Sequence, residues 1–181
     1  MKSSIRKSTY KAIYRLLDRV SPIKTDCGLL CDSACCRNTE GNMGIYLLPG
    51  EEKLFSRKEA WLRWDVENAE DYEFPDSWHG KIYFLTCLGP AYCHRKERPL
   101  QCRFFPLAPH ITRDGKLVMI IFPLKLPYEC PLIQNKTDLE PSFVKAVHTV
   151  WARLVQDPLI RDLVLHDSND RDDTSLSVVS R

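Results

Sequence analysis

The chain has 181 residues, 44% of them hydrophobic and 28% charged, with a net charge of +2. That length supports an apolar core, and the near-neutral balance gives no reason to expect non-specific binding to nucleic acid or membrane. No run approaches the roughly 20 apolar residues that span a bilayer, and the charged N-terminus lacks an apolar h-region and a small-residue cleavage site. A cytoplasmic protein is expected. Its eight cysteines, kept reduced there, point to metal ligands rather than disulfides.

In chain order, residues 4–20 predict an amphipathic helix with Ile13, Leu16, Leu17 and Val20 at helical spacing. Seven basic residues stand against Asp18 between positions 2 and 24, which reads as a solvated face. Ser21-Pro22 ends that helix. Residues 27–44, rich in Cys, Gly, Asp, Ser and Asn, read as an ordered loop, and 45–48 as a short strand before the Pro49-Gly50 turn. Ser56 with Glu59 matches a capping box and predicts a helix through about Val66. Residues 67–80 are acidic and irregular, and 81–87 alternates as a strand. A hairpin is expected from 110–112 and 116–122 around Arg113-Asp114-Gly115. Pro141 opens a helix with an apolar face at Val144, Val147, Val150, Trp151, Leu154 and Val155. Asp157-Pro158 sets N-cap and N1 of a last helix over 159–165.

These elements define an α+β fold: one small antiparallel sheet from 45–48, 81–87, 110–112 and 116–122, flanking helices, and irregular cysteine-rich loops at one end. One domain is expected over 1–166, with an N-terminal helix 4–20, a cysteine-rich core 27–131 and C-terminal helices 141–166. Residues 167–181, polar and charged, read as a disordered tail. Trp61, Trp64, Trp78 and Trp151 are expected in packing.

The cysteines form two groups: Cys27, Cys31, Cys35 and Cys36, then Cys87, Cys93, Cys102 and Cys130. Soft metal centres take several thiolates converging from loops. Two four-coordinate sites, or a cluster with a spare reactive cysteine, both fit this count. Adjacent Cys35 and Cys36 point apart in an extended chain, which argues against both serving one ion. A zinc with four thiolates carries a charge of about −2, so Arg98 and Arg103, flanking Cys102 in RPLQCRFF, suit hydrogen bonding to the sulfurs. Surface pairing with Glu97 or the acidic 65–76 segment is the alternative. His94 is a candidate nitrogen ligand, and Asp26 and Asp32 are candidate bases or turn caps.

Cys27-x3-Cys31-x3-Cys35-Cys36, Cys93 and then Arg98-Pro99-x2-Cys102-Arg103-x2-Pro106 resemble the zinc- or iron-chelating domain family with its CxxCxxCC signature, which is related to flagellin lysine N-methylases. The resemblance covers roughly residues 27–131, ending on Cys130-Pro131. The first cluster departs from it, being spaced three and three, and the Ile-Tyr pair usual before the RPxxCRxxP motif is missing. The resemblance implies metal binding through Cys27, Cys31, Cys35, Cys36, Cys93, Cys102 and Cys130, and implies no single reaction.

The expected function is therefore a metal-binding protein holding zinc or an iron–sulfur cluster, structural or regulatory, with a protein or peptide partner. The alternative is a metal- or cluster-dependent enzyme acting on protein or peptide side chains, as a lysine N-methylase does. Against S-adenosylmethionine chemistry stand the absence of a glycine-rich loop after a strand and a spacing one residue too long for the radical CxxxCxxC signature. An RNA-binding zinc module would need a more basic chain. Oligomeric state is left open.

Overall fold

The computed structural model describes residues 3–37, 44–135, 138–171 and 176–180. It shows an α+β fold with two three-stranded antiparallel sheets among the described residues, where the sequence suggested one. In the first, β3 (Lys81–Cys87) lies between β1 (Ile45–Tyr46) and β2 (Leu62–Asn68). In the second, β5 (Leu117–Ile121) lies between β4 (Leu107–Ile111) and β6 (Val178–Ser180).

Two segments depart from expectation, residues 56–68 and the C-terminal tail. Ser56 N does donate to Glu59 Oε1 at 2.6 Å, the half of a capping box in which the glutamate reaches back, while Ser56 Oγ donates to the same oxygen at 2.8 Å and accepts from Lys58 N at 3.1 Å. But Arg57 takes a left-handed φ of 62°, and the following Leu62, Trp64 and Val66 repeat with period two. The segment therefore pairs with β3, Trp64 opposite Leu85 and Val66 opposite Tyr83, instead of forming a helix. The supposed disordered tail also carries structure. The last helix, α5 (Pro158–Asn169), runs past 166, and buried Ser168 Oγ accepts from Ile111 N at 3.0 Å. Arg171 Nη1 donates to Pro109 O at 3.0 Å, and β6 adds to the hairpin edge. Residues 172–175 and 181 of that tail lie outside the described residues, as do 38–43 of the first cysteine loop.

The N-terminal helix α1 is shorter than expected, Lys7–Leu17. It buries Tyr10, Ile13, Tyr14 and Leu17 in the main core with residues of α4 (Pro141–Leu154) and α5. Both C-terminal helices contribute their apolar faces there, α4 through Phe143, Val147, Val150 and Leu154, and α5 through Ile160, Leu163 and Val164. Helix α4 packs on the second sheet and on α1. Trp61, Trp78 and Trp151 are buried, Trp78 fixing its loop to α5 by donating from Nε1 to Leu159 O at 2.9 Å. A smaller cluster of Leu47, Trp61, Leu62 and Leu85 underlies the cysteine end, with Cys87 and Cys93 packed against it.

Asp157 closes the fold. It caps α5 by accepting from Leu159 N (3.1 Å) and Ile160 N (3.4 Å), as the Asp-Pro signal predicts. Its other oxygen accepts from Ser3 Oγ (2.9 Å), Ser4 N (2.7 Å) and Ser4 Oγ (2.8 Å), so a side chain 1% exposed anchors the chain start. Asp157→Ala is expected to lower unfolding stability by about 2 kcal/mol, the sum of a lost cap and lost charged hydrogen bonds. Urea denaturation checks this, and a change below measurement error would refute it.

Candidate metal centre

RPLQCRFF folds into a helical turn at its centre. Leu100 and Phe104, four apart, are both buried, and this spacing draws Leu100–Phe104 into a single helical turn, α2. Cys102 is left facing the cysteine loops, and a cis peptide bond joins Phe105 to Pro106 ahead of β4. Two bonds hold the turn down: Leu100 N donates to Glu51 Oε1 at 2.8 Å, and Gln101 Nε2 to Tyr46 O at 2.8 Å.

The two arginines take different roles. Arg98 Nε donates to Cys93 Sγ at 2.9 Å. Arg103 turns away from sulfur. Its guanidinium donates to Arg98 O (2.7 Å), Arg95 O (3.3 Å), Lys96 O and Asp18 Oδ1 (2.7 Å), and lies over the Tyr14 ring at 4.3 Å. Arg103 thus ties the segment 95–103 to α1. His94 stacks on Trp61 at 5.6 Å with rings 5° from parallel, and Glu97 Oε2 joins the two, accepting from Trp61 Nε1 at 3.3 Å and lying 3.6 Å from His94 Nδ1. Both candidate bases are engaged elsewhere: Asp26 accepts from Gly28 N at 3.0 Å, and Asp32 pairs with Arg37.

The first cysteine loop is built from two 3-10 turns, Cys27–Leu30 and Ala34–Cys36, joined through Asp32 and Ser33 in left-handed conformations. This overturns the extended reading of Cys35-Cys36. A tight turn rotates neighbouring side chains toward one side, and the two sulfurs stand 3.7 Å apart. Gly89, at φ 100°, takes a left-handed backbone conformation that glycine favours, beside Cys36 O. Cys87 ends β3 opposite Leu62, Cys130 is buried at the start of the short helix α3 (Pro131–Gln134), and Cys31 Sγ lies 4.0 Å from Cys27 O.

The thiols feel one another's charge. Desolvation pushes the Cys102 thiol well above its usual range, Cys36, Cys87 and Cys93 add to this, and Arg98 opposes it. Cys102 is nevertheless exposed to solvent. The Cys93 thiol is also raised by burial, with Arg98 opposing and Cys36 and Cys87 reinforcing. Between Cys35 and Cys36 the shared hydrogen bond raises the first and lowers the second, whose thiolate Arg98 also favours. Burial raises Cys27, with Asp26, Cys31 and Cys130 adding; Cys130 is raised likewise, with Cys31 adding and the N–H groups of Leu132 and Ile133 opposing. Two neighbourhoods result: Cys36, Cys87, Cys93 and Cys102 around Arg98, and Cys27, Cys31 and Cys130 beside them. Cys35 and Tyr128 interact with both.

Among the described residues, no three His, Cys, Asp or Glu side chains converge closely enough to form a ready metal-binding group. The pair geometry does suit a shared ion: two thiolates at the usual zinc–sulfur distance in a tetrahedron are separated by about 3.8 Å, against 3.7 Å for Cys35 and Cys36. All eight cysteines are free thiols.

The sequence did not reveal Glu51 or Tyr128. Tyr128 stands two residues before Cys130, which is its only signal. Glu51 lies in an unremarkable acidic turn, Glu51–Leu54, yet its carboxylate is fully buried beneath α2. Comparison with family models, curated proteins and solved structures returned no match.

Proposed function

We propose that the protein binds zinc or an iron–sulfur cluster through its clustered cysteines, in a structural or regulatory role, in the reducing cytoplasm. The observation carrying this reading is the Cys35–Cys36 sulfur pair at 3.7 Å, beside a set of thiols whose charges raise one another. Crowding keeps raised thiols such as Cys93 and Cys102 protonated, and a bound cation would replace those protons and hold the thiolates together, so binding would release protons. Cys36, Cys87, Cys93 and Cys102 are the first candidate set, with Cys27, Cys31 and Cys130 supplying further donors and Cys35 placed to serve either. Arg98 offsets thiolate charge through Cys93, while Arg103 acts on the backbone that presents Cys102. Exposed Leu29, Leu30, Leu88 and Tyr92 stand on these same loops, which favours a protein or peptide partner there.

Elemental analysis and an absorption spectrum of protein purified without oxygen test the reading. Colourless protein with about one or two zinc ions per chain supports a zinc staple, and brown protein with thiolate-to-iron charge transfer supports a cluster. Folded, metal-free protein whose eight thiols all react freely with a thiol reagent would overturn it.

A further inference from the structure

The charge of +2 averages segments of opposite sign. Helix α1 buries one side completely and turns Lys7, Lys11, Arg15 and Arg19 to solvent at four-residue steps, counting the residue just beyond its C-cap. Each step advances about 6 Å and rotates roughly 40°, so the four cations form a continuous flank about 18 Å long. Asp18, the acid within this stretch, is engaged by Arg103. Among the described residues, none of the four cations makes an ion pair or side-chain hydrogen bond. Helix α4, packed on α1, contains no acidic residue and adds exposed Lys145 and Arg153. Exposed acids gather elsewhere, as Glu70, Asp71, Glu73 and Asp76 after β2.

We infer that this flank of α1, with α4 beside it, docks the phosphate backbone of a nucleic-acid duplex. Charge complementarity selects a polyanion, because uncompensated cations at this spacing face a dense phosphate array and release its counterions. A lipid surface fits less well: an interfacial helix inserts its apolar face, and here Tyr10, Ile13, Tyr14 and Leu17 are committed to the core. A single strand fits less well too, since base stacking needs exposed aromatic rings, whereas Tyr10, Tyr14, Phe143 and Trp151 are buried. Binding of this kind reads charge and not sequence. Nothing in this inference depends on the cysteines holding metal.

Fluorescence anisotropy of the full chain with a labelled duplex of about 20 base pairs tests it, at salt concentrations from about 50 to 200 mM. The expected result is micromolar binding at low salt, nearly equal for two unrelated sequences. Its logarithm should fall against log salt with a slope of about −3 to −4, for four neutralised phosphates. The combined variant Lys7→Glu, Lys11→Glu, Arg15→Glu and Arg19→Glu should lose at least about tenfold in affinity. If that variant misfolds by circular dichroism, Lys7→Gln with Lys11→Gln should still reduce the salt slope by about 2. Absence of duplex binding at low salt, unchanged affinity and slope in the folded variants, or binding only to phosphatidylserine vesicles would each overturn the inference.

Discussion

If the cysteines hold a metal as proposed, replacing Cys102 with serine is expected to release it and unfold the cysteine end while leaving much of the helical core in place. Cys102 stands on α2, where desolvation raises its thiol and the charges of Cys36, Cys87 and Cys93 add to this. A hydroxyl is a poor ligand for a soft centre, and losing one thiolate leaves the others without a shared cation. Structural zinc contributes about 10 kcal/mol or more to folding, comparable with the whole stability of a typical domain, about 5–15 kcal/mol. Leu100 and Phe104 of α2 share the main cluster with α4 and α5, but the smaller cluster beneath the cysteine loops is distinct from it, so far-UV circular dichroism should retain much of its helical signal. Metal content per chain should fall below about half of wild type, and the thermal transition should broaden or split. Full metal content in a folded Cys102→Ser protein would remove Cys102 from the centre.

A loss of about 4 kcal/mol is expected for Glu51→Ala. The Glu51 carboxylate is fully buried and accepts from Tyr14 Oη (2.6 Å), Leu48 N (3.1 Å) and Leu100 N (2.8 Å). It thereby joins α1, the turn after β1 and the first residue of α2. Truncation leaves three buried donors unpaired, at about 1–3 kcal/mol each before relaxation. Chemical denaturation reads the loss, and a value under about 1 kcal/mol would show that water or backbone movement replaces the carboxylate.

The same residue carries a pH signature. Burial pushes the Glu51 carboxyl above its usual range, and the bonds from Tyr14, Leu100 and Leu48 and the Arg103 charge only partly oppose this. A raised folded value means that the folded protein binds this proton more tightly than the unfolded chain. Its stabilisation is complete below the unfolded-state value and is lost as pH rises through the folded one. Wild type should therefore gain stability relative to Glu51→Gln on mild acidification, and parallel profiles for the two proteins would assign the proton elsewhere.

What the sequence made legible is local. Asp157-Pro158 specified the start of α5 because both signals act within three residues. The Arg113-Asp114-Gly115 turn likewise specified the hairpin, with Gly115 at φ 80°. Ser56 and Glu59 misled because two bonds from Ser56 to the Glu59 carboxylate also close a turn that leads into a strand. Dividing the strands between two sheets depended on the pairing of β2 with β3 and of β6 with β5, and pairing across such distances leaves no local mark. At the cysteine end the residue types were legible and their geometry was not. The Cys35-Cys36 turn rests on left-handed Asp32 and Ser33, and the Arg103 role rests on carbonyls that only the folded 95–98 segment supplies.

The anchoring of Ser3 and Ser4 by Asp157 has a consequence for synthesis. On a ribosome the chain emerges from its N-terminus, so Ser3 and Ser4 wait for a partner 153–154 residues downstream. The outer edge of β5 likewise waits for Val178. Every cysteine, the last being Cys130, leaves the exit tunnel before α4 and α5 arrive to complete the main core. The thiol loops are thus accessible to the surrounding medium while the hydrophobic core is still incomplete, and any cofactor can be captured before the helices close behind it.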